Sequence, residues 1–302
     1  MIRYAALSAL ALAAPAIAGE SARPRHAVSA DISYSSDADR TDILHLGLNL
    51  DPVYHGSDDY LGLRVEHIDY RPSGGRKVRE QLVSLRAAGA IGGGFTGRAQ
   101  VGTDGHDLLG NASVNDEGPW RKEVFIERDK VETRIGVTRP ILYTFVGAAL
   151  DVPLARHTQA TFLGGVQEFT GRNVRTHARA TLIQVLKEDA GLSAQVRARW
   201  SHNSVPREYD YFSPRQHVEL LPVLQVRRFR GGWQYLLAGG YGAQHDTGTD
   251  WRALRYINAR VSSPPGKRGF MMAADLTYSN TPVGTGNTYD YVRASLSVGS
   301  AF

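Results

Sequence analysis

The sequence predicts an all-β protein, a transmembrane antiparallel β-barrel of about sixteen strands, with fourteen as the alternative count. Three observations carry that expectation: an alternating strand at the C-terminus, alternating segments of strand length throughout the chain, and a start that reads as an export leader. The last residues, Tyr291-Val292-Arg293-Ala294-Ser295-Leu296-Ser297-Val298-Gly299-Ser300-Ala301-Phe302, place Val292, Ala294, Leu296, Val298 and Phe302 on one face. Arg293, Ser295, Ser297 and Gly299 fall on the other. A strand with lipid outside and water inside is written this way, because every second side chain meets hydrocarbon. The terminal aromatic Phe302 is read as the signal by which barrel-assembly machinery would take up the chain.

At the N-terminus, Met1-Ile2-Arg3 is weakly basic, Ala5 to Ala14 is apolar, and Ala16-Ile17-Ala18 before Gly19 has the small-x-small form of a cleavage site. The apolar run is too short for a bilayer-spanning helix. The expected organisation is therefore a leader over residues 1–18 and one barrel over residues 19–302, exported to a bacterial outer membrane. The chain has no cysteine, which removes any lipobox and any disulfide framework.

Composition agrees. A hydrophobic content of 42% and a mean hydropathy of −0.29 look soluble, yet in a barrel only alternate residues face lipid and the average is diluted. Beyond the leader no stretch approaches the roughly eighteen apolar residues of a membrane helix. The 32 glycines suit a curved sheet, and the 14 tyrosines and 4 tryptophans suit two interfacial girdles. A pI near 9.4 without basic runs interleaved with aromatics gives no reason to expect a nucleic-acid partner.

In chain order, Val28-Ala30-Ile32-Tyr34 alternates against Ser29-Asp31-Ser33, and Leu44-Leu46-Leu48-Leu50 against His45-Gly47-Asn49. Leu61-Leu63-Val65 opposes Gly62-Arg64-Glu66, and Leu192-Ala194-Val196-Ala198-Trp200 opposes Ser193-Gln195-Arg197-Arg199. Trp233 to Tyr241 and Phe270 to Tyr278 repeat the pattern. Strand starts are expected near 27, 42, 61, 79, 95, 107, 119, 142, 157, 175, 191, 215, 232, 252, 268 and 288. Three places fit less well. His106 to Val114 also reads as loop, the Asp51 to Tyr60 connector is long for a periplasmic turn, and Pro222 implies a bulge because proline cannot donate to a ladder.

With Phe302 at the periplasmic end, Pro264-Pro265-Gly266, Arg230-Gly231-Gly232 and Glu188-Asp189-Ala190 become periplasmic turns. Asn280 to Asn287, Asp246 to Asp250, Ser204 to Pro214 and Glu127 to Pro140 become outer loops. The register points Arg64, Arg179, Arg197, Arg199 and Arg293 into the lumen, opposed by Glu66, Glu219 and Asp275. These arginines either focus a field on anionic or hydroxyl-rich solutes or pair with the carboxylates to brace the wall. On one outer loop Tyr209, Tyr211 and Phe212 offer flat faces for sugar rings, with Arg207 and Asp210 for hydroxyls; the same rings also suit the outer aromatic girdle. Glu127, Arg128, Asp129, Lys130, Glu132 and Arg134 form either a charged constriction or a solvated loop of weak ion pairs.

The segments Ser204-Val205-Pro206-Arg207-Glu208-Tyr209-Asp210-Tyr211-Phe212-Ser213-Pro214, Glu127-Arg128-Asp129-Lys130-Val131-Glu132-Thr133-Arg134 and Arg175-Thr176-His177 resemble the barrel of exopolysaccharide-export porins. These are the C-terminal domains of cellulose and poly-N-acetylglucosamine secretion proteins and their YaiO-like relatives. The resemblance covers most of residues 110–302. It implies an outer-membrane pore that passes polysaccharide, with a periplasmic scaffold as partner. Those proteins carry a helical TPR superhelix ahead of the barrel, whereas here the first strand is expected soon after the leader.

Other classes are weaker. A lipid-modifying enzyme would need its nucleophile and base together; His202-Asn203-Ser204 is the candidate for that pairing, and no G-x-S-x-G elbow occurs. The histidines are spread singly, so neither metal site nor cofactor is expected, and Ser57-Asp58-Asp59 is only a weak calcium candidate. A surface receptor, an adhesin or a lipoprotein-translocating barrel would use the same fold.

Overall fold

The computed structural model describes residues 25–38, 40–264, 269–281 and 290–302. The expected leader, Pro265-Gly266 and most of the Asn280 to Asn287 loop lie outside these residues. Sixteen strands close into one antiparallel barrel. They are β1 (Arg25–Asp37), β2 (Asp42–Gly56), β3 (Asp59–Arg71), β4 (Val78–Gly92), β5 (Phe95–Thr103), β6 (Leu108–Asp116), β7 (Lys122–Lys130) and β8 (Leu142–Ala155). The second half comprises β9 (Thr158–Phe169), β10 (Val174–Lys187), β11 (Leu192–Asn203), β12 (Gln216–Arg230), β13 (Trp233–Asp246), β14 (Arg252–Ser262), β15 (Gly269–Ser279) and β16 (Tyr291–Ala301). A five-residue helix, α1 (Arg134–Thr138), interrupts the β7–β8 connection. No helix among the described residues is long and apolar enough to cross a membrane.

Closure follows from the terminal strand. β16 pairs with β1 from Ala27↔Ala301 to Asp37↔Tyr291, and Phe302 and His26 exchange backbone hydrogen bonds of 2.9 Å. The cylinder therefore has no open edge, the condition for placing backbone amides in hydrocarbon. At the end carrying Phe302, the connectors 57–58, 93–94, 156–157 and 231–232 are minimal. The other end carries the longer segments 72–77, 131–141 and 204–215. Short turns on one side and longer loops on the other make the Phe302 end periplasmic.

Alternation decides the two faces. Leu46, Leu48 and Leu50 are exposed on the outer wall while Gly47, Asn49 and Asp51 are buried within. Trp120 and Trp251 stand exposed beyond the strands at the two ends, at girdle positions. Leu48 sits mid-strand on the lipid face. Leu48→Arg is expected to destabilise the folded barrel by about 2–4 kcal/mol in urea unfolding from vesicles; an unchanged midpoint would remove that residue from the hydrocarbon.

Several expectations are corrected in detail. The strand expected from about residue 107 is present as Leu108–Asp116, which removes its loop alternative. β2 and β3 run on through Asp51 to Tyr60, leaving 57–58 as a tight turn, with register shifts at Leu50/Val53 and Tyr54/Gly56. Pro222 causes no bulge: it stays in register with Val196, and only the pairing towards β13 lapses at Leu221 and Pro222. One missing N–H breaks a single rung, which the flanking rungs tolerate. Glu127, Arg128, Asp129 and Lys130 belong to β7 rather than to a loop. Their charge is accommodated because alternate residues face the lumen and Arg128 lies near the outer rim, where it donates to Thr144 Oγ1 at 2.8 Å.

Candidate functional site: a roofed, arginine-rich lumen

One cavity of about 760 Å³ runs inside the barrel. Its lining extends from Ser35, Phe212 and Thr281 at the outer end to Arg121, Arg227 and Arg260 towards the periplasm. Arg64, Glu66, Arg179, Arg197, Arg199, Glu219, Asp275 and Arg293 all line it. The lining further includes Asp31, Arg121, Glu123, Glu132, Asp151, Arg175, Arg227 and Arg260. Period-two alternation already put Asp31 on the inward face of β1; Arg227 and Arg260 extend the inward rows of β12 and β14 in the same way. Arg121 precedes β7, beyond the reach of strand periodicity.

Charge is segregated around the wall. β10 to β16 contribute Arg175, Arg179, Arg197, Arg199, Arg227, Arg260 and Arg293 against Glu219 and Asp275. From β1 to β8 the balance reverses, with Asp31, Glu66, Glu123 and Asp151 against Arg64 and Arg121. On the acidic side Arg64 is fully engaged. Its two terminal nitrogens hold Asp31 at 2.5 and 2.9 Å, and its Nε donates to Glu66 at 3.1 Å. Gly47 permits this: a Cβ there would lie 2.4 Å from Arg64 Nη2, so only glycine lets the guanidinium cross β2 to β1.

On the basic side Glu219 is shared between Arg199 at 3.4 Å and His217 at 2.9 Å. Arg197 lies over the Tyr256 ring at 4.8 Å and donates to Gln195 at 3.0 Å. Asp275 accepts from Asn258 and Thr277, each at 3.0 Å. The wall of β12 to β14 also carries a dry patch of Leu221, Val223, Ala238 and Leu254, an interruption of the polar interior. With low-dielectric walls, such a one-sided arrangement focuses field lines across the passage.

The outer mouth is roofed by two loops that fold inward. Segment 131–141 reaches from β7 and β8 across to β2 and β3, where Val137 packs against Ile43, Ile68 and Tyr70. Glu132 lies 3.2 Å from His45, whose other nitrogen is 3.4 Å from Glu66. Thr133 caps α1 by accepting from Gly136 N at 3.2 Å. A Cβ on Gly136 would lie 2.0 Å from the Val131 carbonyl, so the tight approach requires glycine. Segment 204–215 locks onto the first. Asp210 accepts from Thr133 Oγ1 at 2.6 Å and from Ile135 N at 2.7 Å.

The second loop is itself anchored to the wall. Tyr211 stacks on Phe169 with centroids 4.4 Å apart and planes 11° apart, within a cluster of Val131, Ile141, Tyr143 and Phe145. Burial pushes the Tyr211 hydroxyl up to about 12, so it stays neutral and accepts from Asn173 at 2.9 Å. Glu208 accepts from the backbone of Arg172 and Asn173 at 2.8 and 2.9 Å, and Arg175 donates to the Phe212 carbonyl.

These contacts revise the expected roles. Asp210 and Tyr211 are committed to the roof rather than presented to solvent; Tyr209 is half-buried against the same cluster, Arg207 is exposed, and Phe212 faces the cavity. Of the charged run, Glu132 alone lines the main cavity. Lys130 binds Glu80 at 2.7 Å and also Asp104; Glu127 accepts from Tyr143; Arg128 lies on the outer rim; and Arg134 is exposed at the start of α1. Glu127, Arg128 and Asp129 instead border a smaller void of about 170 Å³. The three candidate catalytic residues diverge. His202 stacks on Trp200, Asn203 is buried against Arg175 and Asn173, and the Ser204 hydroxyl accepts from Val174 N. Asp58 and Asp59 pair with Arg98 and His55, and no metal-holding cluster occurs among the described residues.

No protein-family model matches the chain. No curated protein matches it either. Among solved structures it is similar to one described as a bacterial polysaccharide outer membrane secretin, with a TM-score of 0.66 and 12% identity over 91% of this chain and 98% of that one. That similarity establishes the shared barrel fold. OccK11 (OpdR) of Pseudomonas aeruginosa aligns with a TM-score of 0.48 and 9% identity, over 92% of this chain and 96% of its own. OprB of Pseudomonas putida aligns with a TM-score of 0.37 and 10% identity, over 92% of each chain.

Proposed function

We propose that the protein is an outer-membrane pore that assists the passage of polysaccharide, or of another polar or anionic solute, across the outer membrane. The observation that carries this reading is the lumenal cavity that takes in residues from both ends of the barrel, walled on one side by seven arginines. Guanidinium groups bind carboxylate, phosphate or sulfate in bidentate fashion and also donate to hydroxyls. A row of them along one wall offers a solute successive weak sites instead of one deep trap. The fold shared with a polysaccharide outer membrane secretin supports the same reading.

Among the described outer loops, segments 131–141 and 204–215 fold inward over the lumen instead of standing out as a partner-binding surface, which favours passage through the lumen. Uptake of the chain by barrel-assembly machinery through Phe302, and delivery of polymer by a periplasmic scaffold, complete the proposal. Planar-bilayer recording together with liposome swelling in sugars of graded size tests it. The expected result is ion conduction by the wild type, with slow sugar entry because the mouth is roofed. A bilayer that stays sealed, for the wild type and for variants with the roof removed, would end the pore reading.

A further inference from the structure

On the lipid-facing side of β3 and β4, at their outer ends, one carboxylate gathers three cations. Asp69 lies 2.7 Å from Lys77, 3.2 Å from Arg79 and 3.7 Å from Arg71, with His67 at 3.6 Å. The position follows from alternation: Asp69 and Arg71 continue the outward row of Leu61, Leu63 and Val65, and Arg79 heads the outward row of Val83 and Leu85. Asp69 and Arg79 face each other in register. The cluster therefore sits directly above the apolar belt, at the depth of the outer-leaflet headgroups.

The neighbouring acids do not balance it. Glu80 turns the opposite way, to Lys130. Asp42, opposite Arg71 on β2, accepts from Tyr34 at 2.9 Å. Even with Asp42 included, cations remain in excess, and Arg76 precedes Lys77 in the same loop. Three cations held around one carboxylate repel each other, most strongly beside hydrocarbon where the dielectric is low. The Arg79 and Arg71 side chains are 67% and 57% exposed, so each retains donors for a second anion.

We propose that this cluster binds the phosphate of a phosphorylated glycolipid of the outer leaflet, whose acyl chains lie along the Val65, Val83 and Leu85 stripe. Asp69 serves as the positioning residue that holds the three cations together. The site depends on the barrel's orientation in the membrane and not on conduction through it.

Native mass spectrometry of the detergent-solubilised barrel, titrated with diphosphorylated lipid A, tests the site. The wild type is expected to retain the lipid, and Lys77→Gln with Arg79→Gln to weaken retention roughly tenfold. Gln81→Glu, which adds an anion at the next outward position of β4 and removes no contact of the cluster, provides a second variant should the first fold poorly; it is expected to weaken retention as well. Fully dephosphorylated lipid A, inorganic phosphate and phosphatidylglycerol are expected to bind much more weakly. Equal retention by the variants, or by the dephosphorylated lipid, would overturn the site. Equal binding of inorganic phosphate or phosphatidylglycerol would overturn its assignment to a glycolipid.

Discussion

Excising residues 133–139 and joining the ends through glycines raises single-channel conductance several-fold and admits oligosaccharides that the wild type excludes. The expectation follows from how the roof is held. Segment 131–141 spans the mouth and is fastened at three points: Glu132 to His45, Val137 into the Ile43, Ile68 and Tyr70 pocket, and Thr133 with Ile135 to Asp210. None of these contacts belongs to the barrel ladder, so their loss leaves the cylinder closed by β1 and β16. A gentler variant, Asp210→Ala with Val137→Asp, removes the latch and places a charge in the apolar pocket. It is expected to give rapid transitions between the wild-type and the enlarged conductance. Conductance unchanged in both variants would place the barrier elsewhere along the lumen.

Replacing Arg197 and Arg199 with Glu shifts ion selectivity towards cations, read as a change of sign in the reversal potential under a salt gradient. Both side chains line the cavity within the arginine-rich sector, and the substitution converts two cations into two anions. Field effects of this kind fall off over a Debye length of about 10 Å at 0.1 M salt, so the shift is largest in dilute salt and shrinks towards 1 M. Arg199 also neutralises Glu219, which would lose that guanidinium and keep His217, so Arg197→Gln gives a milder comparison that spares the Arg199–Glu219 pair. Selectivity that does not respond would mean that these side chains lie off the conducting path.

The strands were legible because their information is local. Whether Leu48 faces lipid or Asn49 faces the lumen depends only on period two, and a one-residue slip would invert every side chain on the strand. The same rule reaches Arg64, Arg197, Arg199 and Arg293 without knowledge of any neighbour. It misleads where charge coincides with a rim: Glu127 to Lys130 read as loop because a polar run looks solvated, although β7 directs alternate members of it inward. Pro222 misled for the opposite reason, since a local rule forecast a bulge that the intact rungs on either side prevent.

The roof was not legible. Asp210 and Thr133 lie 77 residues apart, and the stack of Tyr211 on Phe169 joins β9 to a loop beyond β11. Nothing in either segment states that partnership; an aromatic loop residue reads equally as sugar platform, girdle or anchor. By itself the sequence determined a closed β-barrel, the approximate starts of its strands, its two faces and an arginine-bearing interior, because a fixed pleat against two solvents imposes a repeat that each strand carries alone. Only the tertiary structure decided that the mouth is roofed, that charge divides into a basic and an acidic wall, and that Lys77, Arg79 and Arg71 meet on Asp69. Those features arise from which strands closure brings together and where the loops come to rest, and contacts between distant segments leave no period in either one.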